Sequence, residues 1–111
     1  MRIVRPAEAI AAIADGSNVV FPHACAEPVV LYDAFSEQVE RFHDLTIYSG
    51  QQYGDYPFLR RGLGTSFRYV TWQANTPIRR LFQERKVGYL PLRYSEVVRV
   101  ISRDEIGRAH V

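Results

Sequence analysis

The residues that could do chemistry in this sequence stand in four short segments, and each segment follows an apolar run. Their imidazole, thiol, amide and carboxylate groups can act as a nucleophile or a base, or can hold a polar substrate through hydrogen bonds. The segments are Pro22 to Glu27, Gly50 to Asp55, Gln73 to Thr76, and Pro91 to Tyr94. Ligands bind beyond the carboxyl ends of the strands in an open parallel sheet. If the apolar runs are parallel strands, we expect a pocket where these segments meet.

Four residues of these segments are the candidates for substrate binding: His23, Gln51, Gln73 and Asn75. Each of them follows a predicted strand, so a parallel sheet would bring them together at one end. The alternative is that they are four unrelated, solvated loop residues. The sequence gives the two interpretations about equal support.

Two reactive side chains of the first segment have simpler explanations than catalysis. Cys25 lies two residues from His23, as a nucleophile and its base could, but no electropositive setting is visible that would activate the thiol. We therefore expect an inert, half-buried cysteine. Glu27 could be a carboxylate nucleophile, but it precedes a helix-starting proline, where negative charge is favourable without any chemistry. We expect a structural role for Glu27 and assign no catalytic residue.

The remaining charged candidates also have simpler explanations. His23 and His43 are too few for a metal site, so none is predicted, and His43 is expected in a solvated turn. The pair Arg60 and Arg61 is most simply a solvated face. Arg79 lies at the start of a predicted helix, where the dipole disfavours cations. An anionic partner for Arg79 is therefore more plausible than average.

Helical and strand patterns alternate along the chain. Apolar and β-branched runs predict strands at 18–21, 45–49, 67–72 and 87–90. Helices are predicted from Pro6 to Ala14, along a stripe from Leu31 to Phe42, from Pro77 through Arg85 and Lys86, and from a Ser95 cap to Ile101. The continuous apolar run of the first strand is typical of a sheet covered on both faces. The order predicts an α/β fold with an open, mostly parallel sheet and flanking helices.

Composition limits the class of protein. The chain has 111 residues and a mass of 12.8 kDa, enough for one small domain or part of a larger one. A net charge of +2 is too small to imply a nucleic-acid partner. A single cysteine rules out an intrachain disulfide and fits the cytoplasm, and no apolar run is long enough for a membrane span. The glycine-rich signatures of dinucleotide and nucleoside triphosphate sites are absent.

The order of these segments resembles the acetyl-CoA hydrolase/transferase family, which includes 4-hydroxybutyrate and acetate CoA-transferases. The resemblance covers roughly residues 9 to 101, and no single motif in it is diagnostic. It runs through the turn and first strand at 15–20, the loop at 24–28 and the second strand at 45–50. Its most specific parts are 75–80 (Asn-Thr-Pro-Ile-Arg-Arg), 87–92 (Val-Gly-Tyr-Leu-Pro-Leu) and 95–97 (Ser-Glu-Val).

The resemblance implies a NagB/RpiA/CoA-transferase-like fold, here incomplete, in an enzyme built from two related domains. It also implies a mechanism in which a glutamate attacks an acyl-CoA thioester and a second carboxylate then collects the coenzyme A, or water hydrolyses the intermediate. In the family that glutamate lies in the C-terminal domain, and neither Glu27 nor Glu96 matches its motif. Coenzyme A would enter as the thioester substrate, with no further cofactor. The implied partners are an acyl-CoA, a carboxylate acceptor, the missing C-terminal domain and, in the full-length protein, further copies in a homo-oligomer.

The loop after the first strand departs from the family pattern. Related CoA-transferases have glycines there, which let backbone N–H groups approach the substrate, whereas this sequence has Pro22-His23-Ala24. An oxyanion role for this loop is therefore in doubt. The alternative to an enzyme part is a free-standing α/β module that binds a small molecule at the same loops, and a third possibility is an interaction fragment without a ligand.

The last seven residues, Glu105 to Val111, do not continue the family pattern. Their codons can be back-translated into the start of a common short-read sequencing adapter. We therefore expect residues 1–104 to be a truncated N-terminal CoA-transferase-like domain and residues 105–111 to be a non-native tail. The alternative is a native polar tail. Sequencing the locus beyond Asp104 from source DNA decides between the two.

Overall fold

The computed structural model of the protein describes residues 2–73, 76–102 and 109–110. Its strands are β1 (Asn18–Val20), β2 (Leu45–Ser49), β3 (Phe67–Thr71), β4 (Gly88–Tyr89) and β5 (Ala109–His110). They form one sheet in the order β4-β3-β2-β1-β5, and every neighbouring pair is parallel. The predicted open, parallel α/β fold is therefore confirmed. β5 lies within the segment expected to be a non-native tail.

Helices alternate with these strands. They are α1 (Pro6–Ala11), α2 (Val29–Gln38), α3 (Pro57–Gly62), α4 (Thr76–Gln83) and α5 (Val97–Ile101). Short 3-10 turns occupy Ala24–Ala26, Val39–Arg41 and Tyr94–Glu96. Proline opens α1 and α3, where its fixed φ suits the first turn and its missing N–H costs nothing.

The helices between the first four strands share one face of the sheet. The chain moves in a single direction across the sheet from β1 to β4, and right-handed crossovers then place α2, α3 and α4 on the same side. The other face is more open, because Val20, Tyr48 and Val70 lie in register across three strands and are each only half-buried. The prediction that β1 is covered on both faces is therefore wrong at Val20.

Aromatic rings dominate the core between the sheet and the helices. Phe35 is fully buried, and its ring lies 5.2 Å from that of Phe42 and 5.4 Å from that of Phe58, measured between centroids. Phe21 joins the cluster edge to face with Phe35 at 5.3 Å. These rings hold α2 and α3 against β1 and so fix the positions of the loops that leave the strands.

Several helix boundaries differ from the predicted ones, and the stripe predicted from Leu31 to Phe42 is α-helical only to Gln38. α1 ends at Ala11, three residues before the predicted end at Ala14. Beyond it, the N–H groups of Ala12 and Ile13 donate to carbonyls three residues back, as in a 3-10 helix, rather than four residues back. At the start of α5, the predicted cap Ser95 lies inside a 3-10 turn, and Glu96 instead occupies the N-cap position. The fourth predicted strand is also shorter, at Gly88–Tyr89.

The end of α4 also differs from the predicted one. The helix stops at Gln83, so Arg85 and Lys86 lie beyond it. Arg85 has a φ of 59°, and its N–H donates to the carbonyl of Phe82, while the N–H of Lys86 donates to that of Leu81. This pair of bonds is a Schellman motif, in which glycine usually takes the left-handed position.

Candidate functional site at the carboxyl edge of the sheet

Backbone hydrogen bonds join the loops that follow β1, β2 and β3. The N–H of Ala24 donates to the carbonyl of Gln51 at 2.8 Å, and the N–H of Trp72 donates to that of Ser49 at 3.1 Å. The strands are parallel, so the three loops leave the sheet at the same edge. This carboxyl edge is where an open α/β sheet binds its ligands.

His23 and Trp72 meet across the intervening strand. Their ring centroids are 5.8 Å apart, with the planes nearly perpendicular at 86°. Gly50, which directly follows β2, lies between them: a Cβ at this position would come within 2.6 Å of His23 Nδ1 and within 2.6 Å of Trp72 Nε1. The contact between the first and third loops therefore requires glycine in the second.

Trp72 is a residue whose place the sequence did not reveal. The strand predicted at 67–72 includes it together with Phe67 and Tyr69. It is indeed buried, at 3% exposure, but its ring contacts His23 at the carboxyl edge, whereas Phe67 and Tyr69 belong to the main core. Its indole Nε1 is buried and has no hydrogen-bond partner among the described residues. The sequence carries no signal for this position, because the predicted strand runs to residue 72 whereas β3 ends at Thr71.

The structure brings three of the four predicted site residues to the same edge. His23 and Gln51 are half-buried in neighbouring loops, and Gln73 is exposed just after Trp72. The N–H of Gln73 donates to the hydroxyl of Thr71 at 3.1 Å, which fixes the start of its loop. Asn75 lies outside the described residues. The shared edge agrees with the parallel arrangement, and ligand binding by these residues stays a prediction.

Gln52, next to Gln51, anchors the second loop from inside. It is 3% exposed, its amide donates to the carbonyl of Gly54 at 2.9 Å, and its oxygen accepts from the hydroxyl of Tyr69 at 3.2 Å. Burial raises the pKa of Tyr69, so the phenol stays protonated and remains a donor. The second loop thus has one glutamine held in the core and one facing the edge.

Glu27 ties the first loop to the second. Its carboxylate accepts hydrogen bonds from the N–H groups of Tyr53 and Gly54, both at 3.1 Å, and from the hydroxyl of Tyr56 at 3.2 Å. We had expected a structural role through the N-terminus of α2. The role is structural, but the partners are the loop at 53–56 rather than the helix. Burial and the Glu27 carboxylate raise the pKa of Tyr56 to about 12.

The first loop offers few free backbone donors. Pro22 has no N–H, and the N–H of Ala24 is used by Gln51. Ala24 has a φ of 54°, the left-handed region that favours glycine, so the chain takes a glycine-like turn here without the glycine. This supports the doubt about an oxyanion role for the loop.

Cys25 corrects another expectation. It lies in the 3-10 turn at Ala24–Ala26 and is exposed, not half-buried, because the turn carries it outward from the edge. His43 is exposed in a turn at the opposite, amino edge of the sheet, as predicted. Its backbone N–H donates to the Asp15 carboxylate at 2.9 Å, which holds the turn before β2.

The prediction for Arg60 and Arg61 is confirmed, whereas the anionic partner suggested for Arg79 is not found among the described residues. Arg60 and Arg61 are exposed and pair with Asp55 and Glu40, each at 2.7 Å, so they form the expected solvated face. Arg79 is exposed and makes no ion pair within the described part of the chain. The anionic partner suggested for Arg79 is therefore not supplied by those residues.

Among the described residues there is no group of three or more histidine, cysteine, aspartate or glutamate side chains that could hold a metal ion. In the same residues, no helix has both the length and the apolar character needed to cross a membrane.

The fold of this chain is similar to that of a known protein structure. No protein-family model and no curated protein sequence matches the chain. It is similar to the crystal structure of RipA from Yersinia pestis, with a TM-score of 0.71 and 22% identity over 94% of this chain and 26% of RipA. Two RipA mutants, glutamate to alanine and glutamate to aspartate, give TM-scores of 0.77 and 0.75 at 26% and 27% identity, with the same coverage.

RipA is a CoA-transferase-family protein, so this likeness shows the fold and supports that family. The chain spans about a quarter of the length of the RipA structures that it matches.

Proposed function

We propose that this chain is the N-terminal part of an acyl-CoA:carboxylate CoA-transferase or acyl-CoA hydrolase of the 4-hydroxybutyrate and acetate type. The observation that carries the proposal is the superposition of 94% of the chain on a RipA structure with a TM-score of 0.77. The resemblance of residues 9 to 101 to the acetyl-CoA hydrolase/transferase family supports it independently of the coordinates.

The carboxyl edge is the proposed substrate site. His23 and Trp72 form a wall across Gly50, and Gln51 and Gln73 flank it. Primary amides both donate and accept hydrogen bonds, so these glutamines suit the thioester carbonyl and the amides of an acyl-CoA. Asn75 follows the same strand as Gln73 and joins the proposed site.

The proposed chemistry needs a second domain. Catalysis by a carboxylate requires a group that is free to attack the substrate. The carboxylate of Glu27 already accepts hydrogen bonds from Tyr53, Gly54 and Tyr56. We assign the nucleophile to a glutamate outside this chain, so these 111 residues are inactive alone. The full-length enzyme would be a cytoplasmic homo-oligomer, with coenzyme A thioester and a carboxylate acceptor as its ligands and no further cofactor.

The fluorescence of Trp72 tests the proposal, because Trp72 is the single tryptophan of the sequence. Titration with acetyl-CoA should change its emission with saturation, while a parallel assay finds no loss of thioester. His23→Gln should weaken the response. The matched control is His43→Gln, an exposed histidine at the other edge of the sheet, and it should leave the response unchanged.

Two outcomes would count against the proposal. Thioester turnover that disappears in Glu27→Gln would show a nucleophile within this chain. A response to small metabolites that lack coenzyme A, with none to acetyl-CoA, would favour the free-standing binding module instead.

A further inference from the structure

A concave surface lies beside α3 and does not include His23, Gln51, Trp72 or Gln73. It is a groove of about 930 Å³ between α3 and the end of α4, within the range of small-molecule sites. Leu59, Leu63 and Leu81 line its apolar part. Leu59 belongs to the buried core, and the other two pack against the core while remaining partly open. The groove therefore offers three leucine side chains to a ligand, and two of them are partly open.

The rim of the groove carries an excess of positive charge. Four cations and two carboxylates line it: Arg60, Arg80, Arg85, Lys86, Asp55 and Glu84. The Arg60 guanidinium pairs with Asp55 at 2.7 Å. Glu84 is shared, since Arg80 Nε lies 3.2 Å and Lys86 Nζ 3.1 Å from its carboxylate oxygens. Exposed ion pairs of this kind contribute little to the stability of the fold. These cations can therefore leave their carboxylate partners and pair with an incoming anion.

Arg85 is the groove cation that no carboxylate within the described residues neutralises. It is exposed and has no ion pair within the described part of the chain. It also occupies the left-handed position of the Schellman turn, with a φ of 59°, where glycine would fit without strain. Cations near a helix C-terminus complement the helix dipole, which accounts for positive charge here. The dipole does not account for the leucines that line the same groove.

We propose that this groove binds an amphiphilic anion, with the aliphatic chain along Leu59, Leu63 and Leu81 and a terminal carboxylate or phosphate on Arg85 and Lys86. Guanidinium binds either headgroup through paired hydrogen bonds, and the net positive rim complements its charge. This site uses none of the four predicted substrate-binding residues and does not depend on the proposed function.

Calorimetric titration with four probes tests the inference. Octanoate and octyl phosphate carry both features, octanol has the chain without the charge, and acetate has the charge without the chain. Saturable binding of octanoate or octyl phosphate should be at least fivefold tighter than binding of octanol or acetate. The ratio of the two anions then shows which headgroup is preferred.

Arg85→Gly is the decisive variant, because it removes the guanidinium and also relieves the left-handed backbone, so it should fold at least as well as the parent. We expect a weakening of octanoate binding of at least fivefold with an unchanged or higher melting temperature. Arg79→Gln, an exposed arginine of α4 outside the groove lining, is the matched control and should bind as the parent does. Equal binding of octanol and octanoate, no binding by either anion, or an unaffected Arg85→Gly variant would overturn the proposal.

Discussion

The imidazole of His23 and the indole of Trp72 meet edge to face across Gly50, with 5.8 Å between their centroids. The two residues come from loops that follow β1 and β3, and β2 lies between those strands. Their contact therefore spans the central strand, and it exists only because Gly50, the residue that directly follows β2, has no side chain. The carboxyl edge is thus one packed unit rather than a set of separate loops.

Gly50→Ala should open this unit. The new Cβ would lie 2.6 Å from a ring nitrogen of each neighbour, so one ring has to move. We expect a loss of about 1–3 kcal/mol in the free energy of unfolding and a red shift of Trp72 emission as the indole meets water. The control is Gly88→Ala, where the nearest atom would be at 3.4 Å, an ordinary contact. Equal effects of both substitutions on stability and emission would contradict the close packing at Gly50.

Substitutions of a buried and an exposed phenylalanine should differ in their effect on stability. Phe35 is fully buried among other rings, so Phe35→Ala should lower the free energy of unfolding by about 3–5 kcal/mol. Phe82 is 40% exposed on α4, and Phe82→Ala should cost much less. Urea unfolding followed by circular dichroism measures both. Similar costs would show that the rings around Phe35 are loosely packed.

Alkaline pH should destabilise the protein through its buried phenols. Burial and Glu27 raise the pKa of Tyr56 to about 12, and burial raises that of Tyr32 and Tyr69 as well. In the unfolded chain these groups ionise near pH 10, so the folded state binds more protons above that pH. The contribution of these phenols to the free energy of unfolding is therefore fully present below about pH 10. It is lost as the pH rises toward their pKa values in the folded protein.

Glu27→Gln isolates the part of this effect that comes from the carboxylate. Without the charge, Tyr56 should ionise at a lower pH in the folded protein, as tyrosinate absorbance would show. Tyr56→Phe should remove that step, and Tyr53→Phe, at a 60% exposed position, should leave it in place. An unchanged titration in Glu27→Gln would mean that the 3.2 Å bond between Tyr56 and Glu27 does not persist in solution.

The exposure of Cys25 gives a chemical prediction. The thiol lies on the outside of a 3-10 turn, so a disulfide reagent should modify it completely in the native protein without denaturant. The modification should leave the melting temperature nearly unchanged, because the side chain does not contribute to the core. A requirement for urea before the thiol reacts would contradict the exposed position.

Local patterns in the sequence predicted the parts of the fold that depend on local rules. β2 was predicted at its observed bounds, because Leu45–Ser49 is apolar and β-branched and is bounded by turn residues. The parallel order followed from the alternation of helices and strands. Helix ends were less predictable. α4 stops at Gln83 because Arg85 takes a left-handed conformation that glycine usually takes, and an arginine in the sequence does not predict that conformation.

The candidate site was predictable only in part. Parallel strands place His23, Gln51 and Gln73 at one edge, and that inference needs no side-chain detail. The contact of His23 with Trp72, the need for glycine at position 50 and the bonds from Glu27 to the loop at 53–56 are long-range. They depend on how the loops pack against each other, which the spacing of residues along one chain does not encode.

Amide chemical-shift mapping during a titration with acetyl-CoA tests the central claim most directly. We expect saturable shifts concentrated in the loops after β1, β2 and β3, at residues 23–24, 50–52 and 72–73, and their loss in His23→Gln but not in His43→Gln. Shifts confined to other surfaces, such as the groove at α3 and α4, or no shifts at any concentration of acetyl-CoA, would contradict the claim that the carboxyl edge is an acyl-CoA site.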